Sequence, residues 1–140
     1  MSLPAEPVEV QADPARIEQV IVNLLVNAVK YTPPDGQIAI AAAREGGDAV
    51  VRVRDSGVGI APDMLPRIFD LFAQADRSLD RAQSGLCLGL TLVKRIVELH
   101  GGRVGVESPG IGGGAQFTVR LPALPAAAGA DAAPRPPRAA

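Results

Sequence analysis

The sequence predicts an α+β fold, a two-layer α/β sandwich in which helices pack on one face of a mixed, mostly antiparallel sheet. Two stretches carry apolar residues at helical spacing, and two pairs of alternating segments are each joined by a glycine-rich turn. A chain of 140 residues is long enough for one domain with its own core. We place this domain at residues 1–122 and an Ala/Pro-rich linker or tail at residues 123–140.

Net charge, the length of the apolar runs and the cysteine count indicate which partners and compartments suit this chain. The net charge is −1, so no basic surplus indicates nucleic acid or an anionic membrane surface. The apolar runs are shorter than a membrane span, and we expect this chain to make no membrane contact. A single cysteine excludes an intramolecular disulfide and suits a reducing compartment.

The first predicted helix follows a short strand. The segment PVEVQA alternates through Val8 and Val10, which predicts a strand. Asp13 and Pro14 then form a helix start, because an N-cap acceptor precedes a proline at the first helical position. Helical spacing continues to YTPPDG, and further valines lie between the periodic positions, so we expect a mostly buried helix. The periodic positions are Ile17, Val20, Ile21, Leu24, Leu25 and Ala28, with Val22, Val26 and Val29 between them.

The remaining elements follow in chain order. QIAIAAA and AVVRVRD are predicted strands joined by the turn REGGD, and PDMLPRIFDLF predicts one or two short helices. A glycine-spaced loop, QSGLCLG, precedes a second apolar helix that should end at Gly101 and Gly102. RVGVES and AQFTVRLP predict a second hairpin around a glycine-rich turn.

A polar stripe runs along the first helix. Gln19, Asn23, Asn27 and Lys30 are spaced four, four and three residues apart, so they share one face. Buried amides without partners cost about 1–3 kcal/mol each, so a polar ligand with a metal would explain the stripe. A solvated edge of an amphipathic helix explains it as well, and spacing alone does not separate the two.

Two glycine patterns add candidate ligand sites. Asp55 ends a strand and precedes Gly57 and Gly59, so its carboxylate could face a flat ligand that the backbone approaches closely; an Asp that caps its own turn is the alternative. Gly85 and Gly89, with the helix that follows them, predict an anion site formed by free N–H groups and the helix dipole. Plain turn chemistry explains that glycine loop equally.

In combination these segments resemble sensor histidine kinases. EQVIVNLLVNAVKYTP resembles the asparagine box of that family, DSGVGI its first glycine box, IFDLF its phenylalanine box and SGLCLGLTLVKRIVELHGG its second glycine box. GGGAQFTVRLP resembles the closing strand, and the boxes occur in the family's order over residues 8–122. The resemblance implies the Bergerat ATP-binding fold and the catalytic, ATP-binding domain of a histidine kinase.

The resemblance also implies roles for individual residues. Asn27 would bind the Mg²⁺ that bridges the ATP phosphates, Asn23 would support phosphate and metal, and Lys30 would contact a phosphate. Around the base, the implied contacts are Tyr31 near the ribose or adenine, Asp55 accepting from the adenine amino group, and Gly57, Gly59 and Ile60 beside the ring.

A mobile lid over the nucleotide is implied for residues 73–84. Phe69 and Phe72 would hold its base, and Arg77 or Arg81 could reach the terminal phosphate. The second glycine box would wrap the phosphates with Gly85, Leu86, Cys87, Leu88 and Gly89.

Three positions qualify the resemblance. Cys87 stands where the family usually has glycine; it could be a tolerated small residue, could crowd a phosphate, or could serve as a redox-sensitive thiol. His100 is the only histidine and matches the second glycine box, so we expect it to be structural and not the phosphoacceptor. Asn23 occupies the position at which hydrolytic relatives carry a glutamate, and an amide cannot take a proton from water.

The implied function is transfer of the γ-phosphoryl of ATP to a histidine on a separate dimerisation domain, for relay to a response regulator receiver domain. The full-length protein would be a cytoplasmic homodimer or the cytoplasmic part of a membrane sensor. A degenerate nucleotide-sensing or scaffold module of the same fold is the alternative.

Overall fold

The computed structural model describes residues 3–4, 8–69 and 84–125, and in the second helix it describes side chains from residue 89 onward. A short 3₁₀ turn, Leu65–Arg67, lies between the second strand and the second helix. None of the helices in these ranges is long and apolar enough to cross a membrane. The elements are α1 (Pro14–Tyr31), β1 (Ile38–Glu45), β2 (Asp48–Asp55), α2 (Ser84–Leu99), β3 (Arg103–Glu107) and β4 (Ala115–Pro122).

The four strands form one sheet in the order β1-β2-β4-β3, and each neighbouring pair is antiparallel. In this register Val53 of β2 lies opposite Ile40 of β1 and Phe117 of β4. Their side chains point to the same face, against which α1 and α2 pack to form the core. The predicted two-layer α+β fold is therefore confirmed.

Helix α1 begins and ends where the sequence predicts. The Asp13 side chain accepts a hydrogen bond of 3.0 Å from the backbone N–H of Ala15, and Pro14 occupies the first turn. At the other end Thr32 is extended, as expected for a residue that precedes a proline. The hairpin that follows turns at Gly46, whose φ of +60° favours glycine.

The prediction that α1 is mostly buried is wrong. Val20, Leu24 and Ala28 are fully buried, but three valines on the opposite side face solvent. The reason is the two-layer architecture, because the sheet and α2 cover only part of the helix surface and nothing in the described chain covers the rest. The exposed fractions are 47% for Val22, 58% for Val26 and 65% for Val29.

This difference is testable with the same substitution at two positions of α1. We expect Val20→Ala to lower the free energy of unfolding by about 2 kcal/mol, because it removes two buried methyl groups and leaves a cavity. Val26→Ala should change it by less than about 0.5 kcal/mol, because alanine is the better helix former and little burial is lost. Urea unfolding of both variants checks the pair, and equal losses would contradict the exposed position of Val26.

One other sequence prediction is corrected. In the described part of the PVEVQA segment, residues 8–12, the structure has one isolated bridge, Val10 to Ala123, instead of a strand, because the chain turns into the α1 N-cap three residues later. PDMLPRIFDLF is predicted to contain one or two short helices, and within the described residues it forms one short 3₁₀ helix, Leu65–Arg67, with Pro66 in its first turn.

The second glycine box is helical where we expected a loop. Helix α2 begins at Ser84, so Gly85 and Gly89 lie inside it and not before it. Each glycine costs only about 1 kcal/mol relative to alanine, and the leucines between them are good helix formers. The predicted end is confirmed, since α2 ends at Leu99 and Gly101 follows with a φ of +80°.

Candidate functional site

A cleft of about 200 Å³ opens between α1, the loop after β2 and the start of β4. Most of its wall is apolar and includes Ile60, Met64 and Phe117. Two buried polar side chains, Asn27 and Asp55, also line it. An apolar cleft with a few convergent polar groups is typical of a site for a small organic ligand.

Asn27 has an unsatisfied oxygen in this cleft. The residue lies one turn before the end of α1 and is 7% exposed. Its Oδ1 atom is buried and has no hydrogen-bond partner within the part of the chain that the structure describes. Such an oxygen costs about 1–3 kcal/mol in a fold, so its position fits a ligand that supplies a donor or a cation. Amide oxygens are among the ligands that Mg²⁺ accepts.

Asp55 is the last residue of β2 and is also 7% exposed. Burial raises the pKa of its carboxyl group, and backbone hydrogen bonds from Gly57 and Ala115 act in the opposite direction. The Gly57 N–H lies 2.8 Å from Oδ1. The carboxylate thus combines structural hydrogen bonds with a place on the cleft wall, where it can accept from a ligand.

The glycines after β2 are required by protein contacts. A Cβ on Gly57 would collide with the carbonyl oxygen of Tyr31, where Val58 N–H donates a hydrogen bond of 3.1 Å to the same oxygen. Gly59 has a φ of +78°, and a Cβ there would collide with the carbonyl oxygen of Gly110. Gly59 lines the cleft, whereas Gly57 supports it from behind.

The predicted polar stripe of α1 divides in the structure. Asn27 alone lines the cleft, while Asn23 lies beside α2, its Cγ 4.0 Å from the Cβ position of Gly89. Lys30 is exposed with its Nζ 5.9 Å from the centre of the Tyr31 ring. Gln19 accepts a hydrogen bond of 3.1 Å from Arg16 at the surface. The structure therefore brings Asn27, Tyr31, Asp55, Gly59 and Ile60 together and leaves Asn23 and Lys30 at the margin.

Comparison with known proteins agrees with this geometry. The family of histidine kinase-, DNA gyrase B- and HSP90-like ATPases matches residues 12–125, which cover both helices, all four strands and the whole cleft. The chain belongs to this ATPase family. Its similarity within the family is to histidine kinases, and it is an ATP-binding domain of the histidine kinase type.

Two curated relatives illustrate this similarity. The circadian input-output histidine kinase CikA of Synechococcus elongatus is 45% identical over 112 residues, which are 80% of this chain and 15% of CikA. The sensor protein SrrB of Staphylococcus aureus is 39% identical over 110 residues, 79% of this chain and 19% of SrrB. The chain thus spans less than a fifth of the length of either relative.

Solved structures share the fold. Full-length ShkA in complex with AMPPNP superposes with a TM-score of 0.73 and 37% identity, over 90% of this chain and 25% of ShkA. The nucleotide-free catalytic domain of the histidine kinase ThkA gives a TM-score of 0.72 and 30% identity, over 86% of this chain and 75% of the chain of that catalytic domain.

The described end of the phenylalanine box is anchored in this kinase-type domain. The Phe69 ring packs edge-on against Phe117 with centroids 6.1 Å apart, and its carbonyl oxygen accepts a hydrogen bond of 2.9 Å from Thr91. Other predicted contacts fall outside the description: Phe72, Arg77 and Arg81 entirely, and the side chains of Leu86, Cys87 and Leu88 together with the surroundings of Gly85.

His100 is held by the backbone on both sides of its ring. Nδ1 lies 2.8 Å from the carbonyl oxygen of Ile96, and Nε2 accepts a hydrogen bond of 3.2 Å from the N–H of Asp13. With both ring nitrogens engaged, this histidine joins the end of α2 to the N-cap of α1. That arrangement agrees with the structural role expected from the sequence.

Several residues of the cleft were not predicted from the sequence. The apolar ones carry no signal that separates them from ordinary core or surface positions, since Leu90 and Phe117 also fit the periodicity of their elements. Ile111 offered a weak signal, because a large apolar residue in a glycine-rich turn lacks a packing reason. The unpredicted lining residues include Val58, Met64, Ile68, Leu90, Ile111 and Phe117.

Proposed function

We propose that this chain is the catalytic domain of a two-component sensor histidine kinase, which offers the γ-phosphoryl of ATP to a histidine on a separate dimerisation domain. The observation that carries the proposal is the pair of buried polar groups in one cleft, Asn27 with an unsatisfied amide oxygen and Asp55 with a carboxylate. One suits the phosphate and metal end of a nucleotide, and the other suits the base end.

At the base end, the Asp55 carboxylate accepts a hydrogen bond from the exocyclic amino group of adenine. The apolar wall formed by Ile60, Met64 and Phe117 gives the flat ring a dry surface, and Gly59 keeps the adjoining backbone close. A guanine base presents an oxygen at the same position, which a carboxylate repels. This arrangement favours adenine over guanine nucleotides.

At the phosphate end, Asn27 is the protein ligand placed to hold Mg²⁺, whose charge would balance that of the triphosphate. Asn23 lies one turn earlier, beside Gly89 of α2, and supports the phosphates from that side. Lys30 is exposed and flexible enough to turn from the Tyr31 ring toward a phosphate. By resemblance to the family, we propose that the second glycine box together with Phe72, Arg77 and Arg81 would complete the enclosure.

Asn23 cannot accept a proton from water, and this favours phosphoryl transfer to a side chain over hydrolysis of ATP. An amide cannot deprotonate water, so we expect ATP to persist in the site until an acceptor side chain arrives. In phosphoryl transfer the protein mainly positions groups and stabilises charge, and it needs no nucleophile of its own. His100 is engaged in the helix junction, so the acceptor belongs to the dimerisation domain and the phosphoryl passes on to a response regulator.

Calorimetric titration with a non-hydrolysable ATP analogue, with and without Mg²⁺, tests the proposal. We expect Mg²⁺-dependent binding, no comparable binding of the guanine analogue, and ATP turnover close to the uncatalysed rate. A chain that binds no nucleotide under either condition would instead be the degenerate scaffold module. Rapid ATP hydrolysis by this chain alone would contradict the absence of a water-activating base.

A further inference from the structure

Loop 108–114, between β3 and β4, stacks directly on the first glycine box. The Gly112 N–H donates a hydrogen bond of 2.7 Å to the carbonyl oxygen of Val58. Gly114 has a φ of +73°, and a Cβ there would collide with the carbonyl oxygen of Asp55. The two loops are therefore seated together without space between them, and both contribute to the cleft wall.

The Ser108 hydroxyl lies at the centre of this stack. Its Oγ donates to the carbonyl oxygen of Gly114 at 2.6 Å. It accepts from the N–H of Ile60 at 3.0 Å and from the N–H of Gly110 at 3.2 Å. One hydroxyl thus uses its single proton and two lone pairs, and it joins the glycine box to both arms of the second loop.

None of the three partners of Ser108 belongs to the helix layer, since one lies in the first glycine box and two lie in loop 108–114. Ile60 lines the cleft, and the loop that Ser108 closes carries Ile111, which also lines the cleft although it is 74% exposed. An exposed isoleucine gains little from its own packing, so the hydrogen-bonded loop determines where it sits. Losing the hydroxyl would change the shape of this wall more than the packing of the core.

We propose that Ser108 is a positioning residue that holds the Ile60 and Ile111 wall in the conformation that receives the base of the nucleotide. The inference rests on the proposed function, because it takes a nucleotide as the ligand of the cleft. Ser108 acts before binding, since a wall that is already in place loses less conformational freedom when the ligand arrives.

The test compares nucleotide affinity among serine variants at 20 °C, with circular dichroism to verify the fold. We expect Ser108→Ala to raise the Kd of a non-hydrolysable ATP analogue about tenfold, through three lost hydrogen bonds and a misplaced wall. The rise in Kd should be equally large for ADP, because Ser108 acts at the base end of the cleft and ADP carries the same base. Ser108→Thr keeps the hydroxyl and should stay within about twofold of the parent.

Ser56→Ala is the matched control. The Ser56 Oγ accepts a hydrogen bond of 2.8 Å from the N–H of Gln37, so the substitution also removes one loop hydroxyl, but Ser56 does not line the cleft. Its Kd should remain within about twofold of the parent even if its melting temperature falls. An equal loss of affinity in this control would show general loosening of the loop and overturn the assignment to Ser108.

Parent-like affinity in a folded Ser108→Ala chain also overturns the inference and leaves the proposed function intact. If the alanine variant is unfolded, Ser108→Cys replaces it, because a thiol is of similar size and a weaker hydrogen-bonding group. We expect about a threefold rise in Kd for that variant, and an unchanged Kd counts against the inference. Failure of the parent itself to bind nucleotide overturns the proposed function, and this inference with it.

Discussion

Asn27→Ala will abolish Mg²⁺-dependent nucleotide binding while leaving the unliganded domain as stable as the parent. Loss of the amide removes the proposed metal ligand. A contact to a charged group contributes about 1.5–3 kcal/mol, so its loss should weaken nucleotide binding by about 100-fold or more. Removal of a buried side chain usually costs stability. Here the Oδ1 of Asn27 is buried without a partner in the described structure, so its removal offsets that cost.

Two measurements on one variant check this expectation. Calorimetry with a non-hydrolysable ATP analogue and Mg²⁺ gives the affinity, and urea unfolding without nucleotide should differ from the parent by less than about 1 kcal/mol. Gln19→Ala is the control, because it removes an amide from the same helix at a site paired with Arg16 at the surface. Parent-like affinity of the Asn27 variant would remove the phosphate and metal end from the proposed site.

Asp55→Asn is expected to lower the affinity for ATP and to raise the stability of the folded domain at neutral pH. The amide can still accept from the Gly57 N–H, but its NH₂ group would face the adenine amino group, donor to donor. We expect roughly a 50-fold loss of affinity for ATP. Affinity for ITP, which has an oxygen in place of that amino group, should fall much less, so the ATP preference drops at least about tenfold.

Ionisation of Asp55 should lower the stability of the folded domain as pH rises. Burial raises the pKa of Asp55 above its ordinary value of 3.8, so the folded state holds the proton more tightly than the unfolded state. The parent therefore loses stability as pH rises from 3.8 through the folded pKa, and the loss persists at neutral pH. Asp55→Asn should be more stable than the parent at pH 7, and the difference should disappear below pH 3.8.

Thermal unfolding across this pH range, together with competition between ATP and ITP, checks both parts. Asp48→Asn is the matched control, since Asp48 begins the same strand and lies 3.7 Å from Arg103 and 3.9 Å from Arg120 at the surface. It should not alter nucleotide preference. An Asp55 variant with unchanged preference between ATP and ITP would place the base elsewhere.

Capping and turn signals in the sequence predicted the boundaries of those elements whose ends depend on a few neighbouring residues. Asp13 and Pro14 start α1, the Gly46 turn closes the first hairpin, and Gly101 follows the end of α2, as predicted. The same signals failed for segments in which two conformations compete, such as strand against coil or helix against loop. Among the described residues the PVEVQA segment forms one isolated bridge before the chain enters the α1 N-cap, and the leucines of the second glycine box favour a helix over a loop.

Site residues could be predicted from the sequence where the residue type is unusual for its position. Asn27 and Asp55 were identified because an amide in an apolar helix and a carboxylate before two glycines are unusual, and the structure places both in one cleft. Ser108 was not identified, because a serine in a turn is ordinary until its three hydrogen-bond partners are known. The outcome for Phe72, Arg77, Arg81 and Cys87 remains a prediction.

By itself the sequence determined the order of the helices and strands, the two-layer fold and the polar residues that carry chemistry, because spacing, caps and turns act over a few residues. Only the tertiary structure decided which side of each element is covered. It left Val22, Val26 and Val29 in solvent, seated loop 108–114 on the first glycine box, and joined Asn27 to Asp55 across a single cleft. Those outcomes depend on contacts between residues far apart in the chain, which no local pattern encodes.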